Sequence, residues 1–256
     1  MSKKGKVYFV GAGSGAKDLI TIRGKNLIEK ADMIIYAGSL VNPELLEYAG
    51  KDAIIYDSSR MHLEEVVEKY KEAKEKDLTV VRLHTGDPSL YGAIKEQMDA
   101  LDDLDMEYET CPGVSACFGA AASLNLEFTL PGISQSLIIT RMAGRTQVPE
   151  RESIESFSSH GCSMAIYLSA GHLEELKDRL IQGGWEANTP CALVYKATWD
   201  EEKKFLCSLE ELPQVARENN ITKTALIIVG YVLESKDYEK SKLYDKGFST
   251  EYRKSI

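Results

Sequence analysis

The chain has 256 residues, which suits one large domain or two smaller ones, and either is long enough to enclose a hydrophobic core. Its 40 acidic residues outnumber 31 basic ones, for a formal net charge of −9. This balance argues against a nucleic-acid-coating protein, whose electrostatic footprint is usually basic. Because no apolar run approaches the roughly 20 residues needed to cross a bilayer, we expect no membrane partner.

The amino terminus places Lys3, Lys4 and Lys6 before the apolar run 7–10, which superficially resembles a signal peptide. That run breaks at Gly11 without a convincing cleavage site, so we predict a buried strand instead. The five cysteines are scattered without a CxxC pair, and the four histidines lie apart from them. We therefore expect neither a disulfide framework nor a protein-bound metal, and a reducing, cytoplasmic location.

Short apolar runs alternate with helical patterns through the first half of the chain. The runs predict strands at 7–10, 33–36, 78–83 and 106–110. Helical spacing predicts helices at 21–30, from Leu63 to Ala73, and at 91–101. This alternation implies parallel strand pairing with helical crossovers.

A small-residue helix at 115–124 joins two halves, and the alternation then restarts. We predict strands at 137–140, 164–168, 192–196 and 225–229, with helices at 173–182 and 210–218. From about Glu234 the composition is charged and aromatic without periodicity. The economical interpretation is an α/β fold with an amino-terminal domain at 1–114, a carboxyl-terminal domain at 115–233 and a tail at 234–256.

The loop from Gly11 to Ala16 lies between a predicted strand and a predicted helix and reads G-A-G-S-G-A. Glycines in such a loop let the backbone approach a ligand closely, and the loop satisfies a loose form of the dinucleotide fingerprint. An NAD site also needs an acidic residue at the end of the second strand, but that strand ends in Tyr36-Ala37-Gly38. The loop alone is therefore weak support for NAD binding.

A second signal runs from Arg82 to Gly92, where a strand ends in a Gly-Asp-Pro turn. Open α/β sheets bind ligands at this carboxyl edge, although an isolated Asp87-Pro88 is also an ordinary turn. A similar turn with Pro112-Gly113 follows the next predicted strand and enters a small-residue helix. Two such turns after successive strands predict one shared crevice.

Five segments together resemble the tetrapyrrole (precorrin) methyltransferase family, in order from about Val7 to Gly230. They are G-A-G-S-G from Gly11, T-G-D-P-S-L-Y from Thr85, P-G-V-S-A ending at Ala116, Y-L-S from Tyr167, and C-A-L-V-Y-K-A-T from Cys191. Within the family, Y-A-G-S-L-V from Tyr36 and D-S-S-R-M-H-L-E-E from Asp57 most resemble the branch that methylates carbon 11 of precorrin-4, metal-free or cobalt-loaded.

The resemblance implies two α/β domains with S-adenosylmethionine in a cleft between them, a tetrapyrrole substrate and a homodimer. Carried over position by position, it implies these cofactor contacts: Ser14, Thr85, Gly86, Asp87, Leu90, Ser115, Ala116, Leu168 and Ala197. Leu168 is equally consistent with plain core packing. The resemblance identifies no catalytic base.

Two departures from the family pattern narrow this interpretation. The first loop often reads G-x-G-P-G-D in the family, whereas this chain has Ser14 and Ala16. In the related uroporphyrinogen-methylating enzymes an aspartate follows the second-strand tyrosine, and Ala37 stands there instead. The second departure weakens a uroporphyrinogen interpretation and supports the carbon-11 branch.

A polycarboxylate substrate needs local positive charge despite the net charge of −9. Exposed charges are screened beyond about 8 Å at physiological salt, so a few well-placed bases suffice. Guanidinium groups match carboxylates bidentately. The candidates for substrate binding are Arg60, Arg141, Arg145 and Lys196, and each is also consistent with a solvated surface base.

Other functions remain open from the residues. The same fold can methylate another corrinoid carbon, the diphthamide precursor or ribosomal RNA, although RNA binding calls for a basic, aromatic groove. A protein that binds a nucleotide or a tetrapyrrole without chemistry is a further alternative. Motifs in both halves of the chain favour the enzyme.

Overall fold

The computed structural model describes residues 5–234 and 236–255, with the backbone alone at Ser39. It divides into two compact units. The first contains the residues up to Gly119 together with Ala197–Glu201, and the second contains Ala120–Lys196 and the residues from Glu202 onward. The division between Gly119 and Ala120 falls within the helix Ala116–Leu124, a few residues beyond the predicted boundary at position 114. The predicted domain limits stay a prediction. Residues 1–4, Ser235 and Ile256 of those predicted ranges lie outside the described residues.

The first unit is built on a five-stranded sheet in which every neighbouring pair runs parallel. In the order β3-β2-β4-β1-β5, its strands are β1 (Val7–Gly11), β2 (Met33–Tyr36), β3 (Ile54–Asp57), β4 (Val80–His84) and β5 (Tyr108–Cys111). Three helices complete the alternation: α1 (Ile22–Glu29), α2 (Leu63–Glu75) and α3 (Lys95–Asp103). The predicted parallel pairing is confirmed in this half of the chain.

The central strands β1, β2 and β4 are buried on both faces, since the side chains that alternate across them pack into two hydrophobic clusters. Tyr8 and Val10 pack in one cluster with Ile28 of α1. Val7 and Phe9 belong to the opposite cluster, which contains side chains of α2 and α3. Because all five strands run parallel, their carboxyl ends lie at one edge of the sheet. Open parallel sheets bind ligands at this edge.

The second unit has a mixed sheet in the order β6-β7-β10-β8-β9. Its strands are β6 (Leu137–Arg141), β7 (Ser163–Tyr167), β8 (Pro190–Tyr195), β9 (Lys203–Ser208) and β10 (Ala225–Val229). Only β6 and β7 pair in parallel, whereas the other three neighbouring pairs are antiparallel. The restarted alternation along the chain thus does not produce a second all-parallel sheet. The helices α5 (Ile154–Ser158), α6 (Leu173–Gln182) and α7 (Leu212–Glu218) belong to this unit, and α4 (Ala116–Leu124) contains the division between units.

Left-handed backbone accounts for two errors in the predicted elements. The third helix begins at Lys95 rather than at residue 91, because Tyr91 and Ala93 have φ of 58° and 49° and cannot continue a right-handed helix. β7 ends at Tyr167, one residue early, because Leu168 has φ of 54°. The structure also contains β3, β9 and α5, which the sequence patterns did not predict. None of the helices among the described residues is long and apolar enough to span a membrane.

Three glycine backbones meet where β1, β4 and β5 end. A Cβ added to Gly11 would lie 2.6 Å from both Gly113 Cα and the Gly86 carbonyl oxygen. One added to Gly113 would lie 2.7 Å from Gly11 Cα and closer still to the Gly86 carbonyl. Such distances are far shorter than any real Cβ contact, so the strand ends can approach this closely only without side chains.

Gly113→Ala should therefore destabilise the first unit, because backbone atoms on both sides must move to admit the methyl group. We expect a loss of about 1–3 kcal/mol in the free energy of unfolding, measured by urea denaturation. Gly50→Ala is the matched control, since its Cβ would meet only Glu29 O at 3.7 Å. The control should change stability by no more than about 1 kcal/mol. Equal stability of the two variants would contradict close packing of the strand ends.

Candidate active site

The loop after β1 is joined to the turn after β4 by backbone hydrogen bonds. Gly86 N donates to Gly13 O at 2.8 Å, and Gly13 N donates to Gly86 O at 3.3 Å. Ala12 N also donates to His84 O at 2.7 Å. The two glycine-containing segments, which lie far apart in sequence, therefore form one continuous backbone surface at the edge of the sheet.

Side chains from distant parts of the chain hold this loop in place. The Ser14 and Thr198 hydroxyls are hydrogen-bonded at 3.0 Å, and Thr198 Oγ1 accepts from Ala16 N at 3.1 Å. Trp199 Nε1 donates to Ser14 O at 3.1 Å, and Asn42 Nδ2 donates to Gly15 O at 3.0 Å. The sequence predicted a contact for Ser14 but no role in holding this loop for Thr198, Trp199 or Asn42.

Ala197, a predicted cofactor residue, lies beside the same loop. A Cβ on Gly15 would be 2.8 Å from the Ala197 carbonyl oxygen and 2.6 Å from Trp199 Nε1. The side chain of Ala197 is itself buried. Ser14 is also buried, so this part of the site presents mainly backbone groups.

Asp87 connects the turn after β4 to the turn after β5. Its Oδ1 accepts from Ser89 N at 2.9 Å and from the Ser89 hydroxyl, while its Oδ2 accepts from Gly113 N at 2.9 Å. Partial burial acts to raise the pKa of Asp87, but these hydrogen bonds outweigh burial and hold the pKa below its ordinary value. Asp87 is therefore an anion at neutral pH and fixes two loops at once.

The remaining predicted residues of the first unit surround this turn. Gly86 has φ of 60°, and a Cβ there would be 3.6 Å from Ser115 Cα and 3.7 Å from Ala116 N. Thr85 and Leu90 line a cavity on the side of the turn toward α2 and α3. The first unit thus assembles Gly86, Asp87, Ser115 and Ala116 at one point.

Leu168 of the second unit is not a core residue, contrary to one of the two roles considered for it. Its side chain is 64% exposed and its backbone is left-handed, which is uncommon for leucine. The next residue fixes this conformation, since Ser169 Oγ donates to Tyr167 O at 2.7 Å and accepts from Met142 N at 3.1 Å. An exposed apolar side chain held in strained backbone is typical of a ligand contact.

The four predicted substrate bases have different surroundings. Arg60 is exposed in a short 3-10 helix, Ser58–Arg60, directly after β3. Arg141 ends β6 half-buried, and its Nε donates to Met142 O at 3.2 Å. Arg145 is exposed in the loop that follows, and Lys196 is half-buried after β8 with φ of 46°. Of these four bases, Arg60 belongs to the first unit and the other three belong to the second unit.

A cavity of about 290 Å³ in the first unit contains a buried polar cluster. Arg82 donates from Nε to Gln97 Oε1 at 3.0 Å and from Nη1 to Ile35 O at 3.1 Å. Tyr70 donates to the same Gln97 oxygen at 2.8 Å. His84 lies beside Arg82, and its buried Nε2 has no hydrogen-bond partner in the part of the chain that the structure describes.

Burial governs the ionisation of this cluster. Burial, with a smaller effect of the Arg82 charge, lowers the pKa of His84 to about 3, so its imidazole is neutral at physiological pH. Burial also lowers the pKa of Arg82, against the raising effect of Tyr70. Burial raises the pKa of Tyr70, so its hydroxyl stays neutral. Among the described residues no group of three or more His, Cys, Asp or Glu side chains could hold a metal ion.

The first unit has an all-parallel sheet with glycine-rich strand ends, and the second unit has a mixed sheet. The chain belongs to the family of tetrapyrrole (corrin/porphyrin) methylases, which it matches over residues 6–213.

Three similar proteins belong to one branch of this family. A cobalt-precorrin-4 C(11)-methyltransferase of Methanocaldococcus jannaschii is 51% identical over 100% of this chain and 98% of its own length. A precorrin-4 C(11)-methyltransferase of Pseudomonas aeruginosa is 43% identical over 93% of this chain and 94% of its own. The crystal structure of a cobalt precorrin-4 methyltransferase superposes with a TM-score of 0.88 at 40% identity, covering 90% of this chain and 97% of that one.

Asp87→Ala should weaken binding of the methyl donor about ten-fold or more. The variant loses charge-assisted hydrogen bonds to Ser89 and Gly113, each worth about 1.5–3 kcal/mol, so the two turns must be ordered when the donor binds. Asp87→Asn keeps one side-chain acceptor and should show an intermediate loss. Isothermal calorimetry with S-adenosylmethionine measures both variants, and thermal denaturation checks that the fold persists. The exposed Asp103→Ala is the control. Equal donor affinity of the Asp87 and Asp103 alanine variants would remove Asp87 from the site.

Proposed function

We propose that this chain transfers a methyl group from S-adenosylmethionine to carbon 11 of cobalt-precorrin-4, a step in the construction of the corrin ring of cobalamin. The observation that carries the proposal is 51% identity, over the whole chain, to a cobalt-precorrin-4 C(11)-methyltransferase. The Tyr36-Ala37-Gly38 segment supports the same branch, since the uroporphyrinogen-methylating enzymes place an aspartate at the position of Ala37.

The strand ends of the first unit fit a nucleoside-containing donor. The close approach of Gly11, Gly86 and Gly113 leaves backbone donors and acceptors uncovered by side chains, and such groups suit the polar edges of adenosine. The residues that would hold the donor are Ser14, Thr85, Gly86, Asp87, Leu90, Ser115, Ala116, Leu168 and Ala197. When bound, S-adenosylmethionine supplies a methyl group on a positively charged sulfur, which is already an excellent leaving group.

Because the donor is intrinsically reactive, the main task of the protein is alignment. Fixing the reacting atoms converts a bimolecular step into an effectively unimolecular one, and effective molarities reach about 10⁵–10⁸ M. The loops after β1, β4 and β5 are tied by Gly13–Gly86 and Gly113–Asp87 hydrogen bonds, so they need little reorganisation on binding. The anionic Asp87 also favours a cationic ligand nearby.

The substrate presents several carboxylates, and local bases offset the net charge of −9. Arg60 is the candidate of the first unit, whereas Arg141, Arg145 and Lys196 are the candidates of the second. Exposed arginines are suited to this role because their guanidinium forks hold carboxylates bidentately without a large desolvation cost. We assign the exposed Leu168 to an apolar contact with the bound ligands.

The proposal extends to the oligomeric state, the location and the metal content of the substrate. The chain acts as a homodimer in the cytoplasm, as its resemblance to the family implies. Its preferred substrate carries cobalt, because the relative of higher identity has that name. The metal enters within the macrocycle rather than on a site of the protein.

Incubation with S-adenosylmethionine and cobalt-precorrin-4 should produce a singly methylated product. Mass spectrometry detects the added methyl group, and ¹³C NMR with a ¹³C-methyl donor locates it on carbon 11. Metal-free precorrin-4 is the parallel substrate and should react more slowly. A label on a different ring carbon, or no transfer to either substrate, would refute the proposed reaction.

Arg60→Ala should raise the KM for the tetrapyrrole about five-fold and leave the KM for the donor unchanged. This corresponds to about 1 kcal/mol, the upper end for an exposed ion pair. Arg23→Ala on the exposed side of α1 is the matched control. Steady-state kinetics with each substrate varied in turn separates the two constants. A larger effect on the donor than on the tetrapyrrole would count against Arg60 as a substrate residue.

A further inference from the structure

The cavity that contains Arg82 and His84 holds a positive charge without a counter-ion. Arg82 is 7% exposed, and its two hydrogen bonds go to the amide oxygen of Gln97 and the backbone oxygen of Ile35. The Tyr70 hydroxyl also lies near the guanidinium and is neutral. No carboxylate of the described residues is bonded to Arg82. Burying an unpaired charge is costly, and buried arginines are normally paired with an acid.

His84 is the second unsatisfied group of the same cavity. The residue is 5% exposed, and its Nε2 atom is buried with no hydrogen-bond partner among the described residues. A neutral imidazole still offers one N–H donor. A guanidinium without a counter-ion and an imidazole with one unpartnered nitrogen thus line one space, and both can donate to the same acceptor.

We propose that this cavity binds a carboxylate group, with the Arg82 guanidinium as its counter-ion and His84 as a second donor. The volume of about 290 Å³ lies at the lower end of the roughly 300–1,000 Å³ of small-molecule sites. It therefore suits a carboxylated side arm and is too small for a tetrapyrrole ring. Guanidinium and carboxylate are matched in shape, so the pair gains geometric specificity as well as charge.

Other groups at the cavity set its balance of charge. Glu96 of α3 is exposed and is the acidic side chain among those that line it. His62 is exposed at the start of α2, and the Ser58 hydroxyl donates to Tyr36 O at 2.9 Å. Glu96 opposes an incoming anion, whereas Arg82 attracts it. Opposite effects of substitutions at these two positions are a specific signature of anion binding.

The carboxylate has two possible sources in the proposed reaction. One is an acetate or propionate arm of the tetrapyrrole, and the other is the amino-acid carboxylate of the methyl donor. Thr85 and Leu90 line the cavity and are also predicted donor contacts. The choice between these sources rests on the proposed function, whereas carboxylate binding itself does not.

Titration of the full-length protein with sodium propionate tests the site directly. In a chain labelled with ¹⁵N-arginine and ¹⁵N-histidine, propionate should shift the side-chain signals of Arg82 and His84, and the neutral propionamide should not. Arg82→Met should weaken propionate binding ten- to a hundred-fold, as expected for a charge-assisted interaction. Glu96→Gln should strengthen it, and Arg23→Met should leave it unchanged. Thermal denaturation checks the fold of each variant.

Equal shifts with propionate and propionamide, or no shift with either, would overturn the proposal in the wild-type protein even where Arg82→Met does not fold. Displacement of propionate by saturating S-adenosylmethionine supports the site with the donor as its source. Retention of propionate, together with a raised tetrapyrrole KM for Arg82→Met, supports the substrate arm. Failure of methyl transfer in the wild-type enzyme would refute the proposed function and leave the propionate result standing.

Discussion

The contact of three backbones at Gly11, Gly86 and Gly113 is the constraint on which the first unit depends. Backbone hydrogen bonds hold neighbouring strands of a sheet about 4.8 Å apart, and the loops beyond the strand ends need not touch. Here the strand ends touch directly, and Gly13–Gly86 hydrogen bonds continue the contact beyond the sheet. Asp87 adds a charged tie between the two turns. The edge at which we propose that the donor binds is consequently a single connected surface, which is the property that alignment catalysis requires.

Burial and charge are arranged differently on the two sides of β4. On the side of the glycine loop, the groups proposed to face the donor are mainly backbone atoms, and the nearby charge of Asp87 is well satisfied by hydrogen bonds. On the side of α2 and α3, the buried Arg82 guanidinium has no counter-ion and the buried His84 Nε2 has no hydrogen-bond partner among the described residues. The first arrangement stabilises the protein in the absence of ligand, whereas the second costs stability until an acceptor enters. The strand β4 thus lies between a hydrogen-bonded loop surface and a cavity whose buried charge would be stabilised by a bound anion.

Much of this arrangement was accessible from sequence, because glycine loops and Gly-Asp-Pro turns are local features with a local cause. The parallel order of the first sheet follows from alternation of strand and helix. The residues that sequence reasoning missed have the opposite character: Thr198 contacts Ser14 across 184 positions. Tyr91 and Leu168 adopt left-handed backbone that only their neighbours impose. β3 was missed because, as an edge strand, it is half-exposed and lacks a clear apolar alternation.

The placement of Trp199 gives the molecule a built-in optical reporter. The chain has two tryptophans, and one of them hydrogen-bonds the glycine loop through its indole nitrogen. The other, Trp185, is buried in the core of the second unit. Each unit therefore carries its own intrinsic fluorophore, one beside the predicted donor site and one among apolar side chains. Replacing Trp185 by phenylalanine would leave Trp199 as the single tryptophan, so that its emission would report binding at the predicted donor site without any attached dye.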